Sequence, residues 1–196
     1  NIPEPVHRST QARSRLVLDA EHPDGNAARA GRGPSFSRAS ARAAAVDRAL
    51  AIVFTSGTSG EPRPAVLSRR AFVAAADASA AVLGWRERDA WLCAMPLAHV
   101  GGLSIVVRTL VARRAIVLGG GRPFDAERFV ATLARTETTL ASVVPTMLAK
   151  VVDAGLRAPS GVRALLVGGA ACPPRVLSGA VALGWPLRTT YGLTET

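Results

Sequence analysis

The chain has 196 residues, of which 48% are hydrophobic, so it is long and apolar enough to fold around a core and is not a disordered tail. Its formal net charge of +10 comes from arginines scattered along the chain beside a single lysine, Lys150, and only 5% of the residues are aromatic. A nucleic-acid binder is therefore the less favoured interpretation, and no apolar run approaches the roughly 18 residues of a membrane-spanning helix.

Two regions differ in composition. Residues 1–48 are rich in Ala, Arg, Gly, Pro and Ser, and we treat them as a partial N-terminal segment in which only residues 15–18 resemble a strand. From residue 49 to residue 196, short apolar runs alternate with alanine-rich stretches. The predicted strands are 50–54, 90–95, 115–118, 138–143, 162–167 and 186–190. The predicted helices are 68–83, 103–112, 125–135, 145–154 and 173–183.

Several predicted helix starts have a physical basis. Ser68 can cap a helix, Pro145 suits a first turn, and Asp125 places an acidic group at the positive end of its helix. The strand–helix alternation, with strands apolar throughout, predicts an α/β fold in which helices cover both faces of a mostly parallel sheet. Ligands of such sheets bind at the carboxyl ends of the strands, and each motif described next follows a predicted strand.

The first motif, residues 55–64, follows the first apolar strand. Two glycines let the backbone turn tightly and bring N–H groups close to a ligand, and the clustered hydroxyls add donors, so the loop suits phosphate oxygens. No Gly-Lys pair of the standard loop GxxxxGK[ST] is present in the chain. The alternative, a flexible Ser/Gly linker, is less favoured between a core strand and a helix. The candidate phosphate-binding residues are Thr55, Ser56, Gly57, Thr58, Ser59, Gly60 and Arg63.

Three further segments follow predicted strands. His99 lies in a strand–turn–helix segment, where a neutral imidazole could bind a carboxylate or act as a gate, although a structural turn residue is the commoner role. The paired glycines Gly168 and Gly169 let a planar ring lie close to the backbone. Residues 190–196 contain an aromatic ring (Tyr191) that suits a purine, a hydroxyl (Thr194) that suits a phosphate and a carboxylate (Glu195) that suits Mg²⁺. Each of the last two segments also fits an ordinary turn after a strand.

Together, in their order and spacing, these segments resemble the acyl-adenylate-forming, or AMP-binding, enzyme superfamily over residues 49–196. Residues 55–64 are similar to its TSGTTGxPKG loop, which grips the ATP β- and γ-phosphates. Residues 96–103, 142–148 and 191–195 are similar to its PLxHxxGL, VPTML and YGxTE segments. Arg63 and Pro64 stand where the family commonly has Lys and Gly; arginine keeps the charge and proline removes an N–H, so loop mobility and activity are expected to differ.

The resemblance implies part of the large N-terminal domain of an AMP-forming carboxylate–CoA ligase that uses ATP, Mg²⁺ and CoA. It places His99 between the acyl pocket and the phosphates, Tyr191 on adenine and Thr194 on the α-phosphate. With His99 and Thr194, Glu195 is a candidate catalytic residue, and Glu195 is also the candidate Mg²⁺ ligand. The remaining implied contacts are Gly168, Gly169, Ala170 and Gly192 for the nucleotide, and His99, Ser142, Thr146 and Gly169 for the acid.

Within the superfamily, residues 96–105, 162–170 and 184–187 are most similar to the ligases of menaquinone biosynthesis that act on 2-succinylbenzoate, while other aryl and aliphatic acids remain open. The family's ribose-binding aspartate and the lysine of its C-terminal lid domain are expected downstream of residue 196, so we expect a truncated or partial ligase. The alternative is a non-catalytic nucleotide- or acyl-binding module. Two cysteines without CxxC or metal-ligand spacing fit a reducing cytosol, and we expect a cytoplasmic protein of open oligomeric state.

Overall fold

Seven strands and five helices are formed by residues 47–56, 62–119 and 123–194, which are the residues that the computed structural model describes. The predicted strand at 15–18 lies outside them. The strands are β1 (Ala49–Ser56), β2 (Pro62–Ser68), β3 (Ala90–Cys93), β4 (Ala115–Leu118), β5 (Leu140–Val143), β6 (Ala164–Val167) and β7 (Leu187–Thr189). The helices are α1 (Arg69–Leu83), α2 (Val100–Val111), α3 (Ala126–Arg135), α4 (Pro145–Asp153) and α5 (Pro174–Ala182).

Five of the strands form one parallel sheet in the order β4-β3-β5-β6-β7. Helix α2 covers one face of the sheet, which we call the α2 face, and α3, α4 and α5 cover the other. The predicted parallel α/β architecture is therefore confirmed. The sequence allows it because each strand is apolar at successive positions, so that both faces of the sheet can be buried.

Side chains from alternate positions of each strand divide between the two faces. On the three-helix face, strand residues pack with Phe129, Leu148 and Val176 of the covering helices. On the α2 face, Ile105 of α2 is fully buried. The strand residues packed with it are Trp91, Cys93, Leu140, Ala164 and Leu166.

Strands β1 and β2 form a separate antiparallel hairpin, which corrects two predictions. The first strand does not join the parallel sheet, and the loop after it leads into a second strand, not directly into a helix. The hairpin rests on α1 through Val53, Leu67 and Phe72. The side chains of Ile52 and Phe54 are exposed, so β1 is buried on one face only.

Helix starts follow their predicted capping residues in two cases. The Ser68 hydroxyl accepts from the Ala71 N–H at 3.2 Å, and the Asp125 carboxylate accepts from the Arg128 N–H at 2.7 Å. Helix α2, in contrast, begins at Val100, three residues before its predicted start. The predicted start was late because Gly101 and Gly102 have low helix propensity.

An ion pair holds the amino ends of several strands. Arg163 Nε donates to the buried Asp89 carboxylate at 2.8 Å, and the other guanidinium nitrogens donate to the Leu83 and Gly84 carbonyls. The same carboxylate accepts from the Thr139 hydroxyl at 2.7 Å. Because the Arg163 guanidinium contacts both the end of α1 and the start of β3, it fixes elements that are distant in the sequence. In the described part of the chain, no helix is long and apolar enough to cross a membrane.

Candidate functional site

The loops that carry His99, Gly168 and Tyr191 follow β3, β6 and β7 and lie at the edge of the sheet where the parallel strands end. We call this the carboxyl edge. It brings together the segments that contain His99, Gly168 and Tyr191, as the parallel topology predicts. Two backbone hydrogen bonds extend the ladder past the strand ends, from the Gly168 N–H to the Val143 carbonyl and from the Thr190 N–H to the Val167 carbonyl. The loops therefore start from a fixed framework.

His99 is held by a tight turn between β3 and α2. It is the N-cap residue of α2, its N–H donates to the Pro96 carbonyl at 3.2 Å, and its imidazole is exposed and makes no capping bond. A Cβ on Gly102 would lie 2.8 Å from the Pro96 carbonyl carbon and even closer to its oxygen. Only glycine permits this approach, so Gly102 determines where the imidazole stands at the carboxyl edge.

The loop after β6 lies against the end of β7. A Cβ on Gly168 would overlap the Thr190 hydroxyl, and Gly169 has a φ of 84°, a conformation that side chains disfavour. Gly169 and Ala170 are exposed. The backbone is therefore bare on this part of the carboxyl edge, which suits a planar ring lying against it.

Beyond β7, Tyr191 is 93% exposed and Gly192 is also exposed, whereas Thr194 is half-buried. An exposed aromatic ring presents a face on which a purine can stack. Glu195, the predicted magnesium ligand, lies outside the described residues.

Only the base of the predicted phosphate loop is described. Thr55 and Arg63 are cross-strand partners, and the Thr55 hydroxyl donates to the Arg63 carbonyl at 3.3 Å. The four residues at the tip, Gly57, Thr58, Ser59 and Gly60, lie outside the described residues, as does the side chain of Ser56. A hairpin base of this kind fixes both ends of a short glycine-rich loop.

In the described ranges, no group of three or more His, Cys, Asp or Glu residues could hold a metal ion. The hydroxyls of Thr55 and Thr194 would bind Mg²⁺ only weakly without a carboxylate. Mg²⁺ keeps several waters and is usually bound by one or two carboxylates together with substrate phosphates. A magnesium ion would therefore arrive with a nucleotide, and its binding by Glu195 stays a prediction.

Two of the four predicted acid-binding residues, Ser142 and Thr146, are in different environments. Ser142 is 6% exposed on the α2 face, where its hydroxyl accepts a hydrogen bond from Trp91 Nε1 at 3.2 Å. Thr146 is exposed in the first turn of α4, on the three-helix side. No hydrogen bond joins them in the described structure. Ser142 is therefore part of a buried polar group, and Thr146 is not.

Arg108 is a half-buried charge that none of the predicted motifs includes. Its guanidinium carbon lies 5.8 Å from the Trp91 ring centroid, and burial lowers the pKa of the guanidinium below its ordinary value. Its Nε is buried without a hydrogen-bond partner among the described residues. A signal was present, because Arg108 is the one charged residue of the apolar segment Val100–Val111. This Nε is therefore an unused donor inside the described part of the fold.

An open cleft lies on the three-helix side, between β4 and α3. Its walls include Val117, Phe124 and Arg128. None of the predicted site residues lines it, although it reaches Ala94 and Gly119, which directly follow β3 and β4.

A parallel α/β sheet with bare backbone at its carboxyl edge, together with a separate hairpin that carries a glycine-rich sequence, is typical of a nucleotide-binding α/β protein. The family model described as AMP-binding enzyme matches residues 3–196, and the chain belongs to that family.

Similar proteins agree with this assignment. The 2-succinylbenzoate–CoA ligase of Bacillus licheniformis is 36% identical over 151 residues, which cover 77% of this chain and 31% of that protein. The o-succinylbenzoate CoA synthetase of Bacillus subtilis, solved with ATP and magnesium ion, matches with a TM-score of 0.71 and 33% identity, covering 76% of this chain and 31% of that one. The same synthetase solved with its acyl-adenylate intermediate matches with a TM-score of 0.72, 33% identity and the same coverage. This chain therefore spans about a third of the length of these relatives.

Proposed function

We propose that the chain is part of an AMP-forming carboxylate–CoA ligase that acts on 2-succinylbenzoate in menaquinone biosynthesis. One observation carries the proposal: motif segments that are distant in the sequence lie together at the carboxyl edge of a sheet that is similar to solved o-succinylbenzoate CoA synthetases. The cytoplasm is the expected compartment, because ATP and CoA are available there and both cysteines are free thiols.

The proposed reaction has two steps. A carboxylate oxygen of the acid attacks the α-phosphorus of ATP, so that an acyl–O–P bond forms while the bond to the β-phosphate breaks and pyrophosphate leaves. The sulfur of CoA then attacks the acyl carbon and displaces AMP, and the thiol proton is lost to solvent. Neither step needs a covalent bond to the protein, so the contribution of the protein is positioning and charge stabilisation.

Each loop of the carboxyl edge has a proposed task. The exposed ring of Tyr191 stacks on adenine, the bare backbone at Gly168 and Gly169 lies against it, and Thr194 binds the α-phosphate. The hairpin loop between Thr55 and Arg63 donates N–H groups to the β- and γ-phosphates. His99, free of capping bonds at the start of α2, faces the reacting carboxylate.

The acid itself is the more specific part of the proposal. 2-Succinylbenzoate has two carboxylates, and after one has been adenylated the other keeps its negative charge. A buried carboxylate requires a cation or several hydrogen-bond donors. Arg108 supplies a half-buried cation whose Nε is buried and has no partner among the described residues, and Ser142 supplies a buried hydroxyl on the same face of the sheet. These groups favour a dicarboxylate over a simple aliphatic acid.

Pro64 does not by itself argue against activity. It lies in β2 opposite Phe54, where a proline is accepted because the strand is at a sheet edge. The cationic side chain of Arg63, one residue earlier, is exposed.

ATP–pyrophosphate exchange tests the function on the longest polypeptide that the gene encodes. We expect exchange to depend on 2-succinylbenzoate and to be much slower with benzoate or hexanoate at the same concentration. ATP binding without exchange in the presence of any carboxylate would show instead a non-catalytic nucleotide-binding module. Rapid exchange with an aliphatic acid alone would keep the enzyme class and refute the proposed substrate.

A further inference from the structure

The cleft between β4 and α3 has a cause in the sequence. Ala94 and Gly119, which directly follow β3 and β4, are the smallest residues that line it. A leucine or a phenylalanine at either position would fill space that these two residues leave open. β4 is also an edge strand of the described sheet, so no neighbouring strand closes the cleft on that side. The resulting volume of about 290 Å³ is close to the lower end of the size range of small-molecule sites.

The floor of the cleft is apolar and partly aromatic. Leu92 and Phe129 are buried beneath it, and Val117 and Phe124 are half-buried in its walls. The rings of Phe124 and Phe129 pack with their centroids 5.4 Å apart. An aromatic ring that enters the cleft would therefore exchange water for aliphatic and aromatic contacts.

One side of α3 gives the cleft a cationic wall. Arg128, Thr132 and Arg135 all line the cleft. Residues three and four apart are neighbours on a helix, so Thr132 lies in one row with the two arginines and between them. A negatively charged group above Thr132 can therefore accept hydrogen bonds from its hydroxyl and from both guanidinium groups.

Both arginines have donors to offer a ligand. Arg128 uses one terminal nitrogen to donate to the Pro123 carbonyl at 2.7 Å, which holds its side chain against the segment before α3. Among the described residues, neither Arg128 nor Arg135 forms an ion pair. Asp125 is the one acidic residue of the described lining, and its carboxylate caps α3. Two cations and one anion match a ligand with a single negative charge better than a phosphate dianion.

We propose that the cleft between β4 and α3 is a second ligand site, which takes a small aromatic monocarboxylate. The ring lies on the apolar floor beside Phe124, and the carboxylate lies over Thr132 between Arg128 and Arg135. The site uses none of the residues assigned above to ATP or to the reacting acid, so the inference stands whether or not the proposed function holds.

4-Phenylbutanoate is a suitable probe for this site. Three methylene groups separate its ring from its carboxylate, a span of about one helical turn. 4-Phenylbutan-1-ol is the neutral comparator, and 3-phenylpropyl phosphate carries a phosphate on a similar ring and chain. Binding is measured by calorimetric titration, without ATP, on the longest polypeptide that the gene encodes. We expect the alcohol to bind at least about tenfold more weakly than the carboxylate, and the phosphate to bind no more tightly than it.

Substitutions on α3 test where the probe binds. Thr132→Leu removes the hydroxyl and places a larger apolar side chain in the cleft, and Arg135→Gln removes one cation. Ala131→Leu is the matched control for the first substitution, because Ala131 is exposed on the same helix and does not line the cleft. Arg157→Gln is the matched control for the second, because Arg157 is an exposed arginine outside the cleft.

We expect Thr132→Leu and Arg135→Gln each to raise the Kd for 4-phenylbutanoate at least about tenfold, the effect of losing a hydrogen bond to a charged group. Both controls should change this Kd by less than about twofold. Thermal melting followed by circular dichroism shows whether each variant is folded, and leucine and glutamine are both good helix formers. Because Arg135 is exposed, Arg135→Gln tests the site even if Thr132→Leu disturbs the packing of α3.

Several results would overturn the inference. 4-Phenylbutanoate might show no binding at millimolar concentration, or the alcohol could bind as tightly as the carboxylate, which would leave an apolar cleft without an anion site. Tighter binding of the phosphate would assign a different class of ligand. Equal effects of Thr132→Leu and Ala131→Leu would place the probe elsewhere, and loss of binding in Ser142→Ala would place it in the acid site of the proposed function.

Discussion

Tyr191 offers the sharpest residue-level test of nucleotide binding, because its ring is almost wholly exposed on the loop after β7. Stacking on adenine uses the ring face and not the hydroxyl. Tyr191→Ala should therefore raise the Kd for ATP about tenfold, and Tyr191→Phe should change it by less than about twofold. Calorimetric titration with ATP measures the Kd of both variants. An equal loss in the two variants would show that the hydroxyl binds the nucleotide and that the ring does not.

Motif residues and buried partners differ in how well the sequence predicts them. His99 and Tyr191 lie in loops that follow strands. The strands can be predicted from local sequence patterns, and in a parallel sheet the loops that follow them lie at the same edge. The contacts of Trp91 with Arg108 and Ser142 join positions 17 and 51 residues apart and have no local signature. Which side chain meets which across a sheet depends on register, and apolar strands such as β5 allow more than one register.

Among the elements, the start of α2 is the one most constrained by backbone contact. A Cβ on Gly102 would meet the Pro96 carbonyl, whereas a Cβ on Gly101 would lie 3.2 Å from the flexible end of Met95. Gly102→Ala should destabilise the fold by about 2 kcal/mol and slow exchange, because the turn and His99 must shift.

Gly101→Ala is the matched control. It should leave stability within about 1 kcal/mol of the unsubstituted protein, since alanine favours a helix. Urea unfolding measures the stability of the Gly102→Ala and Gly101→Ala variants, and ATP–pyrophosphate exchange measures their activity. Equal stability of the two variants would show that the turn adjusts freely and does not fix His99.

The β1–β2 hairpin is the part of the fold for which the predicted secondary structure was wrong. β1 is apolar at consecutive positions, as a strand buried on both faces would be, yet Ile52 and Phe54 are exposed. β2 contains Pro62 and Pro64, which argue against a strand except at an edge. The helices and the five parallel strands were predictable because their patterns and caps are local. The pairing of β1 with β2 was not, because the prolines of β2 disfavour a strand and the partner of β1 is not marked by any local pattern.

At the scale of the whole molecule, the Asp89–Arg163 pair lies at the amino ends of the strands, away from the carboxyl edge. It joins the end of α1 to β3, and Thr139 adds the start of β5. Asp89→Asn should lower the free energy of unfolding by about 3 kcal/mol at pH 7, because Arg163 would keep its charge without a buried counterion. Asp77→Asn, at an exposed position on α1, should change it by less than about 0.5 kcal/mol.

The pair also predicts how stability depends on pH. Burial alone would raise the pKa of Asp89, but hydrogen bonds from Arg163, the Arg86 N–H and Thr139 outweigh it and hold the pKa below its ordinary value of 3.8. A carboxyl whose pKa is lowered by folding stabilises the fold fully above its unfolded pKa, and loses this effect as the pH falls through the folded pKa. Urea unfolding from pH 7 to pH 2 should therefore show the gap between the unsubstituted protein and Asp89→Asn constant down to about pH 5 and narrowing below pH 4. A gap that stays constant to pH 2 would mean that the lost stability reflects packing around Asp89 and not its charge.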